Sequence, residues 1–119
     1  MVKQVPPPFA SPYFNVDMET MLPEQRSTWV NQQLQVIVQH AYSEAPAVRA
    51  VFEQAGLTPL DVATVADLDK VPIIRKDHLV DLQRTSPPFG GFLGVPISSL
   101  KRIYQSPGPL YDPEGDRPD

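Results

Sequence analysis

The residue pattern predicts a mostly α-helical fold: a small bundle of four to five short helices, followed by one strand that would join a larger sheet. Three observations lead there. Apolar residues recur at helical spacing from Pro23 to about Tyr42, the longest periodic run in the chain. Seven of the 15 prolines separate short periodic segments, while the other eight sit near the two ends. One stretch alone, Lys101 to Gln105, alternates polar and apolar residues as a half-buried strand does. A lone strand cannot satisfy its own edges, so the chain should belong to something larger or take a partner.

Each element has a local reason. Residues 1–16 form a proline-rich N-terminal arm, extended through Pro6-Pro7-Pro8 and anchored by Tyr13 and Phe14. Residues 17–96 form the helical part. Asp17 is positioned to cap a turn through Met18–Met21. Pro23 suits the first position of the main helix, where its missing N–H costs nothing, and Glu24 favours the positive end of the dipole. Trp29/Val30, Leu34, Ile37/Val38 and Ala41 give its apolar spacing, and Trp29 and Phe52 read as core. Ala45-Pro46 restarts the chain. Val48, Val51, Phe52 and Ala55 then share a face, and Gly56 closes the helix with Leu57 as its apolar partner.

Thr58-Pro59-Leu60-Asp61 and Thr64-Val65-Ala66-Asp67 each resemble a capping box with Asp in the place of Glu. They predict one tight turn and one short helix. Another helix opens at Arg75-Lys76-Asp77 and ends near Thr85. Pro87-Pro88-Phe89-Gly90-Gly91 breaks the chain, and Phe92 to Pro96 makes an apolar connector. Residues 97–119 hold the strand and the loop after it. Ser106-Pro107-Gly108-Pro109 is expected to stop any ladder, because proline has no N–H to donate.

Composition excludes several function classes. The net charge is −4, and Ser106 to Asp119 carries four acids against Arg117, leaving −1 for the rest. No basic face suited to a phosphate backbone is visible, so nucleic acid is not an expected partner. The absence of cysteine rules out disulfides and thiolate metal sites and fits a cytoplasmic protein. No window approaches the length of a membrane span. His40 lies near the end of the main helix, and His78 with Asp77 and Asp81 does not converge on one centre, so no metal site and no catalytic residue is assigned. Two readings of Ser106 to Gly115 stand open on residues alone: a nucleotide-phosphate loop after a strand, or a proline-rich exit from it.

Beyond these local signals, a series of segments resembles a known family. Tyr13-Phe14-Asn15, Met18-Glu19-Thr20-Met21 and Ala41-Tyr42-Ser43-Glu44-Ala45-Pro46 are similar to the opening of phenylacetate–coenzyme A ligases, AMP-forming members of the adenylate-forming superfamily. The likeness continues through Phe52–Gly56, Asp67–Pro72, Lys76–Leu79 and Pro88–Pro96 to Arg102-Ile103-Tyr104-Gln105-Ser106. It implies that residues 97–119 begin an adenylating α/β domain whose sheet the strand joins. It also implies ATP with Mg2+, coenzyme A as cosubstrate, and a small aromatic carboxylic acid as substrate of the full-length enzyme.

In that family the strand leads into a Ser/Thr/Gly-rich loop around the ATP phosphates. Ser106 and Gly108 match the loop, whereas Pro107, Pro109, Leu110 and Tyr111 depart from it. Asp112 and Glu114 would repel triphosphate unless a magnesium ion lies between. The resemblance implies that the piece alone is inactive, and that its partner is the remainder of the ligase domain or a second copy. The alternative is a non-catalytic helical interaction module derived from the family.

Overall fold

The computed structural model describes residues 11–116, so most of the proline-rich arm and the last three residues lie outside the description. Among these residues the order is α1 (Val16–Glu19), α2 (Pro23–Glu44), α3 (Pro46–Gln54), 3-10 turns at Pro59–Asp61 and Val65–Lys70, and α4 (Lys76–Thr85). A 3-10 turn at Ile97–Ser99 leads to the strands β1 (Arg102–Ser106) and β2 (Leu110–Glu114). The mostly helical architecture expected from the sequence is present.

Two helix boundaries differ from expectation. Asn15, not Asp17, caps α1: its side chain accepts from the Met18 N–H at 3.1 Å, so the helix begins before Asp17. α2 runs on to Glu44, because Pro46 can serve as the first residue of α3 without a break longer than Ala45. α3 closes as its sequence predicts. Gly56 takes φ +69°, and the Leu57 N–H reaches back to the Phe52 carbonyl at 2.8 Å.

α3 folds against α2, and both 3-10 turns lie on α2 as well. Val38, Phe52 and Val62 form the core, with Leu34, Tyr42, Val48, Leu57 and Val71 packed around them. Tyr42 meets Phe52 edge-on, with ring centroids 5.9 Å apart. Trp29 is not part of this core and is 38% exposed. At about 100° per residue, nine positions put it half a turn away from Val38. Trp29 and Val36, the latter 64% exposed, thus lie on a second side of α2, outside this core.

Both capping boxes form as read from sequence. Thr58 N–H and hydroxyl donate to the Asp61 carboxylate at 2.7 and 2.8 Å. Thr64 N–H and hydroxyl donate to Asp67 at 2.9 and 3.0 Å, and Lys70 joins the same carboxylate at 2.8 Å. Lys70 first, and then Thr64, holds the Asp67 carboxyl well below the usual carboxylate range. Thr58, through its backbone and then its hydroxyl, lowers Asp61.

Folded Asp61 and Asp67 bind protons less readily than unfolded ones, so their contribution is complete above the unfolded value of about 4. It is lost as pH falls below that value through the depressed folded ones. Thermal melts followed by circular dichroism should therefore show a Tm that drops steadily below about pH 4. The drop should be shallower in Asp67→Asn. An identical acid profile for wild type and variant would remove this account.

β1 and β2 form an antiparallel hairpin in which Arg102 pairs with Glu114, Tyr104 with Asp112 and Ser106 with Leu110. Here the structure corrects the expectation of a single strand. The prolines do not stop the ladder: Pro107 and Pro109 occupy the turn, and Pro113 sits opposite Ile103 within β2.

The chain is extended for its length. Its radius of gyration is 19.1 Å, against about 13.5 Å for a compact domain of the same size. It exposes 9479 Å², where a compact monomer of this mass would expose about 6,400 Å².

Candidate functional site: the hairpin turn

The turn between β1 and β2 contains both residues assigned to phosphate binding, Ser106 and Gly108. Ser106 is the last residue of β1, and its hydroxyl faces the Leu110 carbonyl at 3.4 Å, a long contact that leaves it able to turn toward a ligand. Gly108 adopts φ +153°, a backbone conformation that side-chain-bearing residues rarely take. Gln105 to Pro109 line an open depression of about 590 Å³. Pro107 and Pro109 bring no N–H to it, so among residues 107–109 Gly108 alone carries a backbone donor.

Residues from α4 complete the surroundings, and sequence reading did not connect them with the turn. A Cβ placed on Gly108 would lie 3.4 Å from Val80 Cγ2 and 3.7 Å from Lys76 Cε. The side chain of Gln83 holds β2 from outside: its amide donates to the Tyr111 carbonyl at 2.9 Å, and its oxygen accepts from the Tyr111 N–H at 2.9 Å. Lys76, Val80 and Gln83 stand at i, i+4 and i+7, one face of α4. That spacing was the available signal, but only the folded hairpin gives it meaning.

The acids of β2 are less free than their sequence suggests. Glu114 accepts from the Tyr104 hydroxyl at 2.6 Å, and the Arg102 guanidinium lies 3.8 Å away. Tyr104, then Glu114, raises the affinity of Arg102 for its proton. Part of the repulsion expected from Glu114 toward a polyphosphate is thereby compensated.

His40 lines a different depression, a groove on α2 with Gln35, Gln39 and Leu60. His78 is exposed on α4. Among the described residues no three His, Asp or Glu side chains are placed to hold a metal ion. Nor is any helix long and apolar enough to cross a membrane.

No protein-family model matches the chain. It is 36% identical over 77 residues to the phenylacetate-coenzyme A ligase of Aromatoleum evansii, covering 65% of this chain and 16% of that protein. It is 33% identical over 91 residues to the phenylacetate-coenzyme A ligase of Escherichia coli, covering 76% and 20% respectively. Among solved structures, 2-hydroxyisobutyryl-CoA ligase in the postadenylation state with 2-HIB-AMP matches at a TM-score of 0.82 and 30% identity. That match covers 96% of this chain and 24% of the ligase. An open conformation of the same ligase with 2-HIB-AMP and CoA matches at 0.81. The chain spans about a fifth of the length of these curated relatives. In sequence and in backbone, it is similar to the N-terminal region of the phenylacetate–coenzyme A ligases, among the adenylate-forming coenzyme A ligases.

Proposed function

We propose that this chain is the N-terminal part of an AMP-forming carboxylate–coenzyme A ligase and is inactive alone. The observation that carries the reading is the backbone match, over 96% of the chain, to a ligase holding an acyl-adenylate. The extended shape and the exposed apolar side chains of Val36 and Ile37 on α2 support it, since both leave surface for a larger body to cover.

In the reaction proposed for the full-length enzyme, a carboxylate oxygen attacks the α-phosphorus of ATP and pyrophosphate leaves, giving an acyl-adenylate. The coenzyme A thiol then loses its proton and attacks the acyl carbon, and AMP leaves. The residues of this chain would act only on the phosphates. The Gly108 N–H and Ser106 hydroxyl offer two donors, with Lys76 beside the turn. Gln83 keeps the β2 side of the turn in place through Tyr111. Magnesium would arrive with the nucleotide. A small aromatic acid fits the phenylacetate relatives, and a cytoplasmic setting fits the absence of cysteine.

One observation favours a second reading, an interaction module that has given up nucleotide. Proline at 107 and 109 removes two N–H donors from a turn whose role is to supply them. Calorimetric titration with ATP and magnesium separates the readings. We expect no heat with the 119-residue chain, and binding once the chain is joined to the remaining four-fifths of the E. coli relative in place of that enzyme's own N-terminal region. Binding by the parent enzyme but not by a folded hybrid would make the module reading the better one.

A further inference from the structure

Among the described residues, Lys76 stands apart from every other lysine and arginine. Arg26, Arg49 and Lys101 donate to backbone carbonyls. Four more face carboxylates at 2.8 to 3.8 Å. Lys76 has neither kind of acceptor among these residues, and the carboxylate of its neighbour Asp77 turns to Arg75 at 3.5 Å. The helix does not explain the residue either. Lys76 opens α4, where a cation opposes the dipole.

The stem of Lys76 runs instead to the hairpin turn. A Cβ on Gly108 would lie 3.7 Å from Lys76 Cε, so the ammonium, one bond further, stands beside the turn. Gln83, on the same face of α4, holds this approach by bonding both backbone groups of Tyr111 at 2.9 Å. The turn itself is short of donors. A terminal phosphate presents three acceptor oxygens, whereas residues 107–109 carry one N–H and Ser106 adds one hydroxyl.

We infer that Lys76 supplies the charge by which this turn holds a polyphosphate, in place of the N–H groups that Pro107 and Pro109 remove. An ammonium is a compact point charge on a flexible stem, so it can follow a phosphate chain that no ring of N–H groups fixes. Recognition by charge ranks ligands by their negative charge: tripolyphosphate first, then pyrophosphate, then phosphate. The inference rests on the reading of this turn as a phosphate site.

Amide resonances of the 119-residue chain, followed as inorganic tripolyphosphate is added, test it. We expect Gly108 to shift with a Kd of about 1–10 mM, too weak to give heat in calorimetry. Pyrophosphate and phosphate should bind progressively more weakly. Lys76 is exposed, so Lys76→Met keeps the fold and the stem while dropping the charge. It should weaken binding about five-fold, and Lys76→Arg should restore most of the loss. Lys101→Met, the length of β1 away, should stay within about two-fold in ~0.1 M salt. The side-chain amide of Gln83 reports an intact hairpin in each variant. A Gly108 resonance unmoved up to about 20 mM overturns the inference. So does an affinity that Lys76→Met leaves unchanged, or one that Lys101→Met lowers equally. The ligase reading is decided separately, by ATP titration of the chain joined to the E. coli remainder. ATP binding there that Lys76→Met leaves unchanged removes the role of Lys76 and keeps the ligase. Tripolyphosphate held through Lys76, with no ATP bound by the joined chain, keeps Lys76 and removes the ligase.

Discussion

Phe52→Ala is expected to destabilise the chain by about 3–5 kcal/mol, the largest effect of any single truncation here. The ring is 4% exposed and lies between Val38 and Val62, with Tyr42 against its edge. Alanine leaves a void that helix and turns cannot both close. A core this small holds little reserve, so the loss approaches the whole stability of a marginal domain. Trp29→Ala removes a larger side chain yet should cost less than about 2 kcal/mol, since Trp29 is 38% exposed and lies outside the core. Denaturant titration of the two variants makes the comparison. Equal losses would mean that Trp29 belongs to a packed surface after all.

The second large effect is expected at Gly90. It takes φ +64°, and a Cβ there would lie 3.0 Å from both the backbone carbon and the Cβ of Leu82. Left-handed backbone costs a side-chain-bearing residue about 1–2 kcal/mol, and crowding against a helix backbone adds about as much. Gly90→Ala should therefore lose about 2–4 kcal/mol. Gly56, at φ +69° with nothing within 4 Å of its absent Cβ, pays only the backbone part. The consequence at Gly90 extends beyond the bend. The Gly90 N–H binds the Ser86 carbonyl at 2.8 Å, and Gly91 accepts from the Ala47 N–H at 3.0 Å, so this corner ties the end of α4 to the start of α3. Thermal melts of Gly90→Ala and Gly56→Ala side by side should show the first far lower, and equal Tm values would count against the close approach.

What could be read from the sequence was what depends on near neighbours. The two capping boxes, the proline-started α2 and α3 and the Gly56 closure each involve groups within a few residues, and each formed. β2 went unseen for a different reason. Whether a proline breaks a ladder depends on which side its nitrogen faces, and this is set by the register with β1. The apolar pair Trp29/Val30 suggests that both belong to the core, although the two lie about 100° apart on α2 and Trp29 falls outside the core cluster. Ser106 and Gly108 share one turn by adjacency alone. Lys76 and Gln83, at least 23 residues upstream in the chain, reach that turn only through tertiary packing.

α4 reaches β2 across 28 residues, from Gln83 to Tyr111, whereas α2 packs with α3 and β1 with β2, elements that follow closely in sequence. Contacts of this kind close short loops and carry little entropic delay. During synthesis, then, the α2–α3 unit can assemble as soon as it leaves the ribosome. In the full-length ligase proposed above, that unit would precede the rest of the sheet, and Gln83 would already hold the β2 side of the hairpin when the sheet is laid down.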